Sequence, residues 1–256
     1  MRFACLTTIA PGSTLAAKCA AIAEAGCTGI ETIVFPDTPL EAWQAEVRHA
    51  LVSAELELAV VIVGGLKLYE ADGLAWARAA LQAIAELGAA ALITPEYRAQ
   101  EPLPLFPPYP PPPADEQAQV ETALAELGAL AVARNIPLLL EPLTQFESRF
   151  WRDVPTVARM CTRLAHPLAR LALDTHNMNM TEANIQKSIA YAGSLVGHVH
   201  LADNNRRLPG EGQIDFAGLL AALQAISYDG WYSFECAVAG NFVTQVRAAM
   251  RYLRGL

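Results

Sequence analysis

No apolar run in this chain approaches the ~20 residues that a helix needs to cross a bilayer, although 53% of its residues are hydrophobic and its mean hydropathy is +0.25. The expectation is a soluble chain with a large buried core and no membrane partner. The start, Met1-Arg2-Phe3-Ala4-Cys5-Leu6, reads as a strand and lacks the apolar segment and cleavage site of a secretory signal, so a cytoplasmic location is the default. Cysteine is scarce and odd in number: five residues, Cys5, Cys19, Cys27, Cys161 and Cys236, with no C-x-x-C pair. That argues against both a disulfide framework and a structural zinc cluster, and leaves small buried thiols. Runs of Lys or Arg are also missing, and the formal net charge is -8. Overall acidity repels a phosphate backbone, so no nucleic-acid partner is expected.

What is present is a regular alternation. Short apolar or β-branched runs are followed by longer Ala-rich segments of helical period, the pattern of repeated βα units around a parallel sheet. Eight units are read, with strands near Phe3 to Thr8, Gly29 to Phe35, Glu57 to Val63, Ala89 to Thr94, Pro137 to Glu141, Ala169 to Asp174, Val196 to Leu201 and Gly230 to Cys236. A chain of 256 residues suits one such barrel. The fold expected is therefore α/β, a single (β/α)8 TIM barrel over residues 1–256. Helix signals agree: Ser13 and Thr14 can cap the first helix, Asp115-Glu116 opens the fourth, and Asp215 precedes the run from Phe216 to Leu223. Gly26 and Gly88 stand where helix ends want a left-handed residue. The Pro-rich stretch 101–113 reads as an extended loop after the fourth strand, in which Phe106 and Tyr109 are placed to touch substrate or a neighbouring subunit.

Four of the apolar runs stop at a metal-competent side chain: Leu138-Leu139-Leu140 at Glu141, Leu171-Ala172-Leu173 at Asp174, Val196 to Val199 at His200, and Tyr232-Ser233-Phe234 at Glu235. In a parallel barrel the strand C-termini converge on one mouth. A carboxylate there can equally be an ion-pair partner or a helix cap. Three together are unfavourable unless a cation or protons neutralise them. One imidazole with three carboxylates suits a hard-to-borderline divalent ion.

These residues carry a resemblance. Leu140-Glu141-Pro142-Leu143, Leu173-Asp174-Thr175-His176, Gly197-His198-Val199-His200 and Phe234-Glu235-Cys236 are similar to motifs of the xylose isomerase-like sugar isomerases and epimerases, nearest the ketose 3-epimerase (tagatose/psicose epimerase-like) branch. The resemblance implies that Glu141, Asp174, His200 and Glu235 bind one divalent ion, often Mn2+, with Mg2+, Co2+ or Zn2+ as alternatives. It implies that Glu141 and Glu235 also move protons, that Glu147 contacts or orients a small sugar, and that Arg206 holds a substrate oxygen. It further implies a homodimer or homotetramer. The loop Arg207-Leu208-Pro209-Gly210-Glu211-Gly212 looks like the one that follows the seventh strand in such enzymes. Two positions depart from the pattern: Asn177 stands where relatives commonly have His, with His176 one place earlier, and Ala237 stands where an aromatic is common. His176 and Asn177 are both kept as substrate-binding candidates.

A cation bound to a ketose carbonyl and the adjacent hydroxyl stabilises the enediolate left when a carbon-bound proton is removed. Return of a proton to the opposite face by a second glutamate epimerises that carbon; return to the neighbouring carbon isomerises aldose and ketose. The leading expectation is thus a metal-dependent isomerase or epimerase of a small keto sugar or related polyol. An inosose dehydratase-like lyase stays open, since loss of a β-hydroxyl can follow the same enolate. An endonuclease IV-like repair enzyme would need further His and Asp ligands, and strands two to four end in no His. A non-enzymatic binder is a third alternative. Among the other candidates, His198 is expected on the strand face opposite His200 and is read as structural. Glu31 and Glu96 either line the pocket or serve packing and capping. Gly64-Gly65 either admits a ligand to the backbone or makes a turn, and His49 and His166 have no ligand-like neighbours.

Overall fold

The computed structural model describes residues 1–97, 109–164 and 166–256. Eight parallel strands follow one another around a closed barrel: β1 (Arg2–Leu6), β2 (Gly29–Val34), β3 (Glu57–Val63), β4 (Ala90–Ile93), β5 (Leu138–Leu140), β6 (Ala169–Asp174), β7 (Val196–Leu201) and β8 (Trp231–Phe234), with β8 pairing back to β1. The helices among the described residues are α1 (Leu15–Ala25), α2 (Leu40–Ala54), α3 (Ala71–Leu87), α4 (Ala114–Arg134), α5 (Val154–Leu164), α6 (Thr175–Thr181), α7 (Ile185–Ala192), α8 (Phe216–Ala225) and α9 (Phe242–Arg254). The (β/α)8 barrel expected from the alternation is what the chain forms. Among the described residues no helix is long and apolar enough to cross a membrane.

Strand side chains alternate between the lumen and the helix layer, because successive Cβ atoms point to opposite faces. On the outer face Cys5, Ile30, Val61, Ile93, Leu140, Leu173, Val199 and Phe234 belong to one buried cluster with Ile22, Leu81, Leu124, Val157, Leu223 and Val246 from the helices. Each such large side chain contributes about 1.5–3 kcal/mol by leaving water. Inside the lumen a smaller cluster of Ala4, Val60, Leu92, Leu139 and Ala172 forms the apolar plug. The lumen above that plug is polar.

Local chemistry fixes the helix ends. Thr14 Oγ1 accepts the Ala17 N–H at 3.2 Å and starts α1, while Gly26, at φ +96°, ends it by donating to Ala23 and Ile22. Asp215 starts α8 by accepting the Gly218 N–H. Of the Pro-rich stretch, Phe106 and the rest of 101–108 lie outside the described residues. Tyr109, just beyond, donates its N–H to Gln145 O at 3.3 Å and accepts from Arg152 at 2.7 Å. This part of the segment therefore packs on the loop after β5.

Candidate active site

Glu141 follows β5, Asp174 ends β6, His200 is the penultimate residue of β7, and Glu235 follows β8. The register pairs Asp174 with His200 and His200 with Ser233, which sets these positions at one level of the lumen. One ligand atom from each of Glu141, Asp174, His200 and Glu235 lies within 4.8 Å of all the others. His200 Nδ1 stands at the centre, 2.9 Å from Glu141 Oε1 and 3.0 Å from Glu235 Oε2.

Three carboxylates at this depth disturb one another. Burial pushes Glu141 up to about 7; His200 opposes the rise, and the charges of Glu235 and Asp174 add to it. Burial also disfavours the His200 cation, but Glu31, Glu235 and Glu141 outweigh it and raise His200 well above its ordinary value. Arg206 supplies fixed positive charge: its Nη1 lies 2.8 Å from Asp174 Oδ2 and its Nη2 3.5 Å from Glu235 Oε1. The other Asp174 oxygen accepts the backbone N–H groups of His176 and Asn177 and so starts α6.

Above this cluster opens a cavity of about 190 Å³. Glu141, Glu147, Asp174, Asn177, Arg206 and Glu235 form its polar side, and Ile33, Phe35, Ile62, Leu66, Tyr97 and Leu143 its apolar side. Glu147 is held from behind, its Oε2 accepting the Thr144 hydroxyl at 2.8 Å. Asn177 is buried, and its Oδ1 has no hydrogen-bond partner. His176 is not part of the lining; its ring Nδ1 lies 3.1 Å from Asp203 O. Gly64-Gly65 does line the cavity, and a Cβ on Gly64 would sit 2.6 Å from the Phe35 ring. Phe35 and Tyr97, 50% and 55% exposed, stand at the rim.

A family model described as xylose isomerase-like TIM barrel matches residues 19–256. The chain belongs to that family. Among curated proteins it is 33% identical over 128 residues to an L-ribulose 3-epimerase of Methylomonas sp. strain DH-1, covering 50% of this chain and 45% of the relative. It is 27% identical over 185 residues to the 3-dehydro-D-guloside 4-epimerase of Escherichia coli K12, covering 72% and 71%. The chain spans less than half the length of two ribulose epimerases that it matches, 45% and 42%. The apo crystal structure of an E. coli 3-keto-D-glucoside 4-epimerase superposes with a TM-score of 0.87 over the whole of both chains at 23% identity, which shows a common fold.

In this xylose isomerase-like barrel four features correct, settle or go beyond what the sequence suggested. His198 does not face away from His200. Residues two apart in a strand share a face, and the two imidazoles meet edge to face with centroids 4.8 Å apart. Glu31 does not line the pocket; it lies buried beneath His200, with its oxygens 2.8 Å from His200 Nε2 and 3.1 Å from His198 Nε2. Burial would raise the Glu31 pKa, yet the two histidines hold it well below the usual carboxylate range. Glu96 is structural: it receives the Arg149 N–H and guanidinium and, at 3.3 Å, the Tyr69 hydroxyl. Asp203 is the residue with no advance signal. Its carboxylate accepts the N–H groups of Asn204, Gly210, Gly212 and Ile214 and gathers the loop after β7 around itself.

Proposed function

We propose that this chain is a divalent-metal-dependent epimerase of a small keto sugar, with Glu141, Asp174, His200 and Glu235 as the ion's ligands and Glu141 and Glu235 as the proton-transfer pair. One observation carries the reading: two glutamates from different strands meet one imidazole and one aspartate at the floor of a sugar-sized cavity. The donor set fits a divalent ion. Three carboxylates and one imidazole nitrogen suit Mn2+, Mg2+, Co2+ or Zn2+, and a cation offsets the burial, and after it the Glu235 and Asp174 charges, that hold Glu141 near 7. The bound ion would supply positive charge to the oxygens on which negative charge develops, easing loss of a proton from the adjoining carbon.

The protein's own groups do the rest. One glutamate removes the carbon-bound proton and the other delivers one to the opposite face, which inverts that carbon. Arg206, already tied to Asp174 and Glu235, holds a substrate oxygen without leaving its partners. The free Asn177 Oδ1 accepts from a sugar hydroxyl, and Glu147, steadied by Thr144, takes another. The apolar side from Ile33 to Leu143 covers the carbon skeleton. The relatives named above point to keto-pentoses and 3-keto glycosides as the substrates to try.

The test is incubation of the Mn2+-loaded protein with each of these in deuterated water. Deuterium entering one substrate carbon together with its epimer, and no loss of water, is the expected result. Dehydrated product would transfer the site to lyase chemistry. Absence of exchange with every keto sugar would remove the proposal.

A further inference from the structure

We infer that Glu31 is a positioning residue for the metal centre: its carboxylate holds His200 in the tautomer with hydrogen on Nε2, so that Nδ1 presents its lone pair to the ligand quartet. The inference rests on the reading that this quartet binds a divalent ion. An imidazole has two distinct nitrogens, and the hydrogen bond made by one decides what the other offers. A carboxylate only accepts, so the 2.8 Å contact between Glu31 Oε1 and His200 Nε2 requires the hydrogen to sit on Nε2. In the ion-free protein Nδ1 likewise donates to Glu141 and Glu235, at 2.9 and 3.0 Å; of the two ring hydrogens, the one on Nδ1 would be given up to an ion, and the one on Nε2 stays with Glu31.

The brace is itself held. The second Glu31 oxygen takes the Nε2–H of His198 at 3.1 Å, and the two rings pack edge to face, so the carboxylate cannot turn without breaking a contact. Glu31, His198 and His200 are all buried, away from competing water. The backbone also aims Glu31: the pairing of β2 with β3 shifts register between Ile30 and Glu31, and such irregularities re-aim side chains. Glu31 comes from β2, three places around the barrel from β7 by way of β1 and β8.

The experiment is calorimetric titration of Mn2+ into the wild type, Glu31→Leu and Glu31→Gln. Loss of a hydrogen-bond partner behind a ligating histidine lowers metal affinity by about 10–100-fold. Glu31→Leu should show that loss at an unchanged stoichiometry of one ion per chain, and Glu31→Gln, which keeps an amide oxygen for Nε2–H, should recover most of it. Equal affinity in Glu31→Leu overturns the inference. So does a wild type that takes two ions where Glu31→Leu takes one, because Glu31 would then be a ligand itself. A wild type that binds no Mn2+ removes the proposed function first, and this inference with it. Nitrogen NMR of the wild type loaded with diamagnetic Zn2+ needs no variant: hydrogen on His200 Nε2 supports the assignment, and hydrogen on Nδ1 overturns it.

Discussion

In the proposed function Glu141 and Glu235 both coordinate an ion and exchange protons. Glu141→Gln and Glu235→Gln should each lower turnover by about 10²–10⁴-fold, the usual contribution of a positioned acid or base, while sugar affinity changes far less. Rapid-quench turnover beside equilibrium sugar binding and Mn2+ content would check this, and a variant retaining wild-type turnover would contradict it. Burial first, then Glu235 and Asp174, raise Glu141 to about 7, so below that pH the ion-free side chain carries a proton. The ion must displace it. Mn2+ affinity should therefore rise as pH increases through about 7, and binding at pH 6 should release protons, read by calorimetry in buffers of different ionisation enthalpy. A pH-independent affinity across that window would contradict it. The quartet was legible in the sequence because each member closes an apolar run. The contact of Glu31 with the two histidines was not, since they lie across the lumen on β7 and nothing local in Gly29-Ile30-Glu31 indicates them. His198 shares the lumen face with His200, as positions two apart in a strand must. Asn177 and His176 separate only once Asp174 starts α6, which sends one side chain into the cavity and the other towards Asp203.

The loop after β7 shows how an element can be organised by one buried charge. Asp203 receives four backbone N–H groups at 2.8–3.0 Å, and within the same loop Arg206 adopts φ +59°, a left-handed conformation uncommon for a non-glycine residue. Hydrogen bonds to a charged group contribute about 1.5–3 kcal/mol each and are not additive. Asp203→Ala should thus lower stability by a few kcal/mol and also raise KM, because Arg206 loses its seat; urea unfolding and steady-state kinetics would measure the two effects, and an unchanged KM would detach Arg206 from the loop. Gly212 is tied to the same carboxylate, since a Cβ there would stand 2.3 Å from Asp203 Oδ1. None of this was visible in the spacing of Gly210 and Gly212, which signals a tight turn and not what the turn encloses. The strands were more legible. Glu57–Val63, Ala169–Asp174 and Val196–Leu201 fall as expected, whereas the first ends at Leu6 and not Thr8, because Thr7–Ile9 tightens into a 3-10 turn. Sequence periodicity locates a strand; its last residue depends on whether a neighbour is there to pair.

At the scale of the molecule, a closed barrel whose lumen gathers acidic side chains is placed to gain stability from the divalent ion proposed for it. An ion at a hundred times its Kd adds about 2.7 kcal/mol, and for domains of this size each kcal/mol raises Tm by about 2–4 °C. Thermal melts with excess Mn2+ and with a chelator should differ by about 5–10 °C, and coincident melts would mean that no ion is held. The five thiols have a separate consequence. All are buried and unpaired; burial pushes Cys19 up to about 11 and Cys27, Cys161 and Cys236 up to about 12, and raises Cys5 well above its ordinary value. Thiolate is the reactive form, so the folded protein should ignore maleimides at neutral pH. Asp37→Cys, at an exposed site two residues from Phe35 on the pocket rim, would then give a single anchorage for a fluorescent dye, and the arrival of a sugar could be followed by its emission with every native cysteine left in place.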